Sequence, residues 1–108
     1  MSDSMRESSA FTTELTPAET ERLAFLMEEM AEAQHVIGKI LRHGYASRDP
    51  TTPNAPRNRQ LLEVELGHVN TAVKFMVAAK DINRTACSYA SEAKIISVRR
   101  WLHYQVGE

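Results

Sequence analysis

One cysteine in 108 residues, Cys87, has no partner for an internal disulfide, so the chain relies on packing and suits a reducing compartment. Glycine and proline are scarce at four each, and three of the prolines fall at 50, 53 and 56, so little interrupts regular structure elsewhere. Apolar runs are short: none approaches the ~20 residues that a membrane-spanning helix needs. No basic-then-apolar leader opens the chain either. No membrane partner and a cytoplasmic location are expected. An excess of positive charge is lacking as well. Lys and Arg number 13 against 14 Asp and Glu, a net charge of −1, which argues against a nucleic-acid binder that works through a basic field. Apolar residues at 43% allow one domain with a modest core.

The charge that is present is unevenly spread. Residues 1–35 carry eight acids and two bases, whereas residues 36–62 carry five bases and one acid. Residues 63–108 are nearly balanced, with six bases and five acids. An acidic stretch followed by basic ones suits a site that holds a cation and an anionic ligand together.

Residues 1–15 are polar and lack periodicity, which predicts a flexible N-terminal arm. Thr16-Pro17-Ala18-Glu19 is a helix start: Thr16 caps, Pro17 suits the first helical position, and Glu19 completes a capping box. Leu23, Leu26, Met27, Met30, Ala33, Ile37 and Leu41 then form a helical stripe that Gly44 can end. Residues 45–58 hold the three clustered prolines and read as a loop. A second stripe runs through Leu62, Leu66, Val69, Val73, Met76 and Val77, and Asp81-Ile82-Asn83 breaks it. A last helix is predicted over about 88–105, with Trp101 buried or at a subunit contact. No stretch alternates with period two. The expected fold is all-α, an antiparallel helical bundle over 16–108. Because the apolar arcs exceed a narrow seam, completion by self-association into a homodimer or homotetramer is expected.

Carboxylates sit where these arcs should be apolar. At about 100° per residue the first stripe centres near Met30 and Ile37; Glu29 lies about 80° from it and Glu32 about 140°. Phe25 and Val36 lie on the same side. On the second helix Glu65 lies about 50° from the stripe's centre, with His68 on the same flank and Phe75 continuing that edge. Each helix therefore offers two donors at spacing i, i+3, which makes them surface neighbours. Side by side, the helices would bring three carboxylates and an imidazole together. Unpaired carboxylates in such a cluster repel, and a divalent cation relieves that. Oxygen donors select Mg2+ or Mn2+. His35, His43 and His103 form no metal spacing.

Glu28-Glu29-Met30-Ala31-Glu32 followed by Glu65-Leu66-Gly67-His68 resembles the MazG-like all-α nucleoside triphosphate pyrophosphohydrolases, whose signature is EExxE on one helix and ExxD on the next. Leu26-Met27, Leu61-Leu62 and Val69 fit the surroundings, and Lys94 to Gln105 resembles the basic, aromatic ending of small phage and bacterial members. The likeness covers about residues 18–105. His68 departs from it, standing where the family has Asp; imidazole suits Mn2+ or a later transition metal better than Mg2+. The gap between the motifs is also longer than usual, and the proline-rich loop absorbs the excess.

The resemblance implies metal-dependent hydrolysis of a (deoxy)nucleoside triphosphate, (d)GTP among the candidates, to the monophosphate and pyrophosphate. Glu29, Glu32 and Glu65 are the implied metal ligands with His68 as the fourth, and Glu28 is a further ligand or a general base. Lys39, Arg42, Lys94, Arg99 and Arg100 would meet phosphates or the base, and Phe75 would stack on the base or pack in the core. The alternative is a helical interaction module of the same fold with weakened catalysis. A DNA-binding helical protein fits the acidic first helix poorly.

Overall fold

The structure is a computed structural model, and it describes residues 12–105. Among these there are three helices and no strand: α1 (Pro17–His43), α2 (Asn58–Ala78) and α3 (Arg84–Val98). The expected all-α class is what the chain adopts. Most of the predicted N-terminal arm, residues 1–11, lies outside the described residues. The chain divides into two compact units at Phe75/Met76.

In the first unit, α1 starts as its sequence dictates. Thr16 Oγ1 accepts from the Glu19 amide at 3.1 Å, and Glu19 Oε1 accepts from the Thr16 amide at 2.8 Å. Two of the helix's orphan donors are satisfied reciprocally, and Pro17 gives up no bond at the first position. Gly44 ends the helix at φ 90°, a conformation a side chain would resist, with its amide donating to Ile40 O at 2.7 Å.

The proline-rich segment is irregular, as expected, but well bonded. The Asn58 amide donates to Ser47 O at 2.8 Å, and the Arg59 amide to Tyr45 O at 3.0 Å. Asn58 Nδ2 donates to Gly44 O at 3.1 Å, and Arg57 Nη1 to Ala46 O at 2.7 Å. These bonds tie the end of α1 to the start of α2. From there the helices run antiparallel: His68 meets Glu29 midway, and the Phe25 and Phe75 rings lie 5.9 Å apart at the far end.

The face α1 turns to α2 corrects one expectation. Ala33 and Val36 are buried, while Met27, Met30, Ile37 and Leu41 are exposed. The packed side runs through Phe25, Glu29, Ala33 and Val36, so the arc centred on Met30 and Ile37 does not form the intrachain core. Small residues explain the choice, since Ala33 faces a helix carrying the 1% exposed Ala72, and short side chains let backbones approach. On α2, Leu62, Val69 and Val73 are half-buried as expected, but Leu66 is exposed.

In the second unit, α2 closes at a left-handed Lys80 (φ 65°), with the Asp81 amide donating to Met76 O at 2.9 Å. Met76 is buried. Asn83 then caps α3, its Oδ1 accepting from the Ala86 amide at 2.9 Å. The last helix therefore begins at Arg84, earlier than the predicted 88, and ends at Val98, well short of 105. Trp101 lies in the turn beyond it and is exposed, so it is not buried within the chain. No residue of α3 is buried. No described helix is long and apolar enough to cross a membrane.

Candidate metal centre

Glu29 and Glu32 sit one turn apart on α1, and Glu65 and His68 one turn apart on α2. The antiparallel pairing brings these turns face to face. One donor atom from each of Glu29, Glu32, Glu65 and His68 lies within 4.8 Å of all the others. The two i, i+3 pairs predicted to converge do converge. Glu28, adjacent in sequence, is exposed and is not one of the four.

Burial within the cluster is asymmetric. The Glu29 and Glu65 side chains retain 14% and 18% of their exposure, whereas His68 retains 51%. Glu29 Oε2 and Glu65 Oε2 are buried and have no hydrogen-bond partner. His68 Nδ1 lies 3.3 Å from the first and 3.6 Å from the second. Those separations allow charge pairing with a protonated ring, but the geometry makes neither contact a hydrogen bond. Two desolvated carboxylate oxygens without partners are costly, since buried polar groups are almost always satisfied. Comparison with known proteins finds no family model, no characterised protein and no solved structure that matches this chain. The site is read from its own chemistry.

That chemistry fits a small divalent cation. The unsatisfied oxygens point at a common place, where a positive charge would offset both desolvation and mutual repulsion. Three hard oxygen donors suit Mg2+ or Mn2+, and the imidazole tilts the set toward Mn2+. Glu32 and His68 are exposed, so the cluster is open to solvent on one side, as a site that also takes ligand oxygens must be.

The other candidate residues lie around and beyond this cluster. Lys39 is half-buried seven residues beyond Glu32 on the same side of α1, about 10 Å along the axis. It lines a cavity of about 590 Å3 with His43, Arg48 and Asp49. Sequence reasoning did not single out Arg48 and set His43 aside; the i, i+4 spacing of Lys39 and His43 was the available signal. The Asp49 carboxyl is held below its ordinary 3.8, first by hydrogen bonds from the Thr51 hydroxyl and amide, then by the Thr52 hydroxyl. Arg42 is exposed and leans over Gly38. Phe75 packs against Phe25 yet stays half-exposed. Lys94 on α3 and Arg99 and Arg100 just after it are all exposed in the second unit.

Proposed function

We propose that Glu29, Glu32, Glu65 and His68 hold a divalent cation, and that the chain hydrolyses a (deoxy)nucleoside triphosphate to the monophosphate and pyrophosphate. The observation that carries this reading is the pair of buried carboxylate oxygens that accept no hydrogen bond, Glu29 Oε2 and Glu65 Oε2, at the point where a third carboxylate and an imidazole also arrive. The resemblance of these same residues to the EExxE and ExxD motifs supplies the reaction class. Bound there, Mg2+ or Mn2+ supplies charge neutralisation and Lewis acidity toward a polyphosphate.

The chain's own residues do the rest. Glu29 and Glu65, held half-buried between the helices, fix the geometry of the donor set. Glu32 faces solvent, where substrate enters. Glu28, one turn before Glu32, is exposed and free to accept the proton of an attacking water as general base. Lys39, about two turns past Glu32, supplies a point charge for the polyphosphate, and the exposed face of Phe75 offers a stacking surface for the base. In this reading Arg42 adds positive charge on α1, and Lys94, Arg99 and Arg100, exposed in the second unit, are further candidate phosphate contacts. It also has the two-helix unit completed by further copies of the chain, as a homodimer or homotetramer in the cytoplasm.

Pyrophosphate release from a panel of nucleoside and deoxynucleoside triphosphates, with Mg2+ and with Mn2+, tests the proposal. Turnover that Glu32→Gln abolishes supports it. No turnover, together with no metal-dependent melting shift, overturns it in favour of the helical interaction module. One observation favours that second reading: His68, 3.3 Å and 3.6 Å from the two buried oxygens, would when protonated offset part of their charge without a metal.

A further inference from the structure

Where α1 turns into α2, the proline-rich segment borders a cavity of about 590 Å3 lined by Lys39, His43, Ser47, Arg48, Asp49 and Asn58. Its loop wall is tied down at several points. The Asn58 amide donates to Ser47 O at 2.8 Å and Arg57 Nη1 to Ala46 O at 2.7 Å, which fixes the backbone leading into Arg48. Asn58 itself is buried, and its Nδ2 donates to Gly44 O. The Asp49 carboxylate accepts from the Thr51 amide and hydroxyl through Oδ1, and from the Thr52 hydroxyl through Oδ2. Asp49 is therefore the staple of its own loop.

The groups left over are cationic or able to become so. Among the described residues, no hydrogen bond or ion pair engages the side chains of Lys39, His43 or Arg48. Lys39 acts on Asp49 only through its charge, as the last and smallest influence on that carboxyl. A half-buried ammonium and a guanidinium thus face one carboxylate that three donors already occupy. Arg42 and His43 in the last turn are what any helix C-terminus favours. Arg48 is not accounted for in that way, since it lies five residues past the end of α1. Ammonium, guanidinium, imidazole and the Ser47 hydroxyl are all donors. A ligand that suits them offers several acceptor oxygens and negative charge, which is a phosphate group. Lys39 lies about 10 Å along α1 from Glu32, and His43 about 16 Å on the same side. The recess is therefore separate from the acid cluster. It is built partly by the segment that lengthens the gap between the two resembled motifs, so the resemblance assigns it no ligand.

We infer that Lys39, His43 and Arg48 form an anion site that takes a phosphate group whether or not a cation occupies Glu29, Glu32 and Glu65. Two sources share that chemistry: the terminal phosphates of the proposed substrate, reached by way of Lys39, and a separate phosphate-bearing ligand. Only the first source rests on the functional reading, and the site itself does not.

The full-length chain is treated with EDTA and exchanged into chelator-free buffer, because EDTA is itself a polyanion. Inorganic phosphate and pyrophosphate are then titrated by calorimetry and by the His43 ring signals in NMR, identified by their loss in His43→Gln. Saturable binding that moves the His43 signals is expected. Arg48→Gln should weaken it about 10-fold, the loss of one charge-assisted hydrogen bond, and Arg48→Lys should weaken it less. Arg84→Gln, the same change of charge in the second unit, should leave it as it is. Should Arg48→Gln not fold, Lys39→Gln serves the same purpose. Glu32→Gln should still bind phosphate, so loss of turnover and loss of this site are read apart. Calorimetry with Mg2+ and a non-hydrolysable nucleoside triphosphate distinguishes the sources. Displaced phosphate identifies the substrate's terminal phosphates as the occupant, phosphate bound alongside identifies a separate ligand, and either result supports the site. No binding at millimolar anion overturns the inference. So does binding that leaves the His43 signals in place, or that Arg84→Gln weakens as much as Arg48→Gln.

Discussion

Replacing Glu65 with Gln separates the cost of the acid cluster from its use. Oε2 of Glu65 and Oε2 of Glu29 are both buried, and the cluster's donor atoms lie within 4.8 Å of one another. Two unit charges at that separation repel by about 3.5 kcal/mol at an effective dielectric constant of about 20. Solvent on the open side and the nearby imidazole screen part of this, leaving about 1–2 kcal/mol of relief when one charge is removed without changing shape. A domain of this size gains about 4–8 °C in Tm per kcal/mol, so Glu65→Gln should melt about 5–15 °C above the native chain in EDTA. Saturating Mn2+ should reverse the order. A ligand at 100 times its Kd adds about 2.7 kcal/mol to the native chain, and the variant has lost a charged donor for it. Calorimetry of both chains, with chelator and with Mn2+, reads the crossing directly. A variant that melts at or below the native chain in EDTA, with Mn2+ moving neither, refutes the idea that these carboxylates are crowded for a cation.

Three further outcomes are expected. His68→Asp restores the carboxylate of the resembled motif and should raise Mg2+-supported turnover and melting shift relative to Mn2+; a fall in both with Mg2+ would show that the imidazole is an adaptation. Thr16→Ala removes an N-cap whose bond to the Glu19 amide is 3.1 Å, costing about 1 kcal/mol, or about 4–8 °C of Tm; an unchanged Tm would contradict it. Asp49, held below its ordinary 3.8 chiefly by Thr51, is favoured in its charged form by the fold. Its contribution is present above that value and lost as pH falls through the lowered one. Asp49→Asn should therefore be less stable than the native chain near neutral pH, with the gap closing below about pH 3.8; a gap constant with pH would exclude the carboxylate as its source.

Much of the fold was legible because local signals and tertiary need agree. Thr16-Pro17-Ala18-Glu19 specifies a start that no packing has to enforce, and Gly44 supplies the one conformation that ends α1. The boundaries of α3 were less legible. Asn83 sits in a break and also caps α3, so reading it only as a breaker moved the helix start four residues along. The end at Val98 carries no glycine or proline, and the Ile and Arg residues around it allow a helix to continue.

The face of α1 turned to α2 was misjudged for a physical reason that also explains the site. Hydrophobicity points to the heptad-spaced Leu23, Met30 and Ile37, but the turns at the middle of the contact with α2 use short residues, Ala33 and Ala72. Once Ala33 faces inward, Glu29, one turn before it, is carried toward α2, and antiparallel pairing puts Glu65 and His68 opposite. The same rotation leaves the larger residues outside, for another surface. A helix with one apolar purpose would not be built this way: it would bury its leucines and methionines and hold its acids in water. α1 instead gives its closest packing to the turns carrying the carboxylates and turns its hydrophobic stripe outward. The cluster's cost and the stripe's exposure are thus two consequences of one helix orientation. A cation at the first and a second copy of the chain at the second would relieve both.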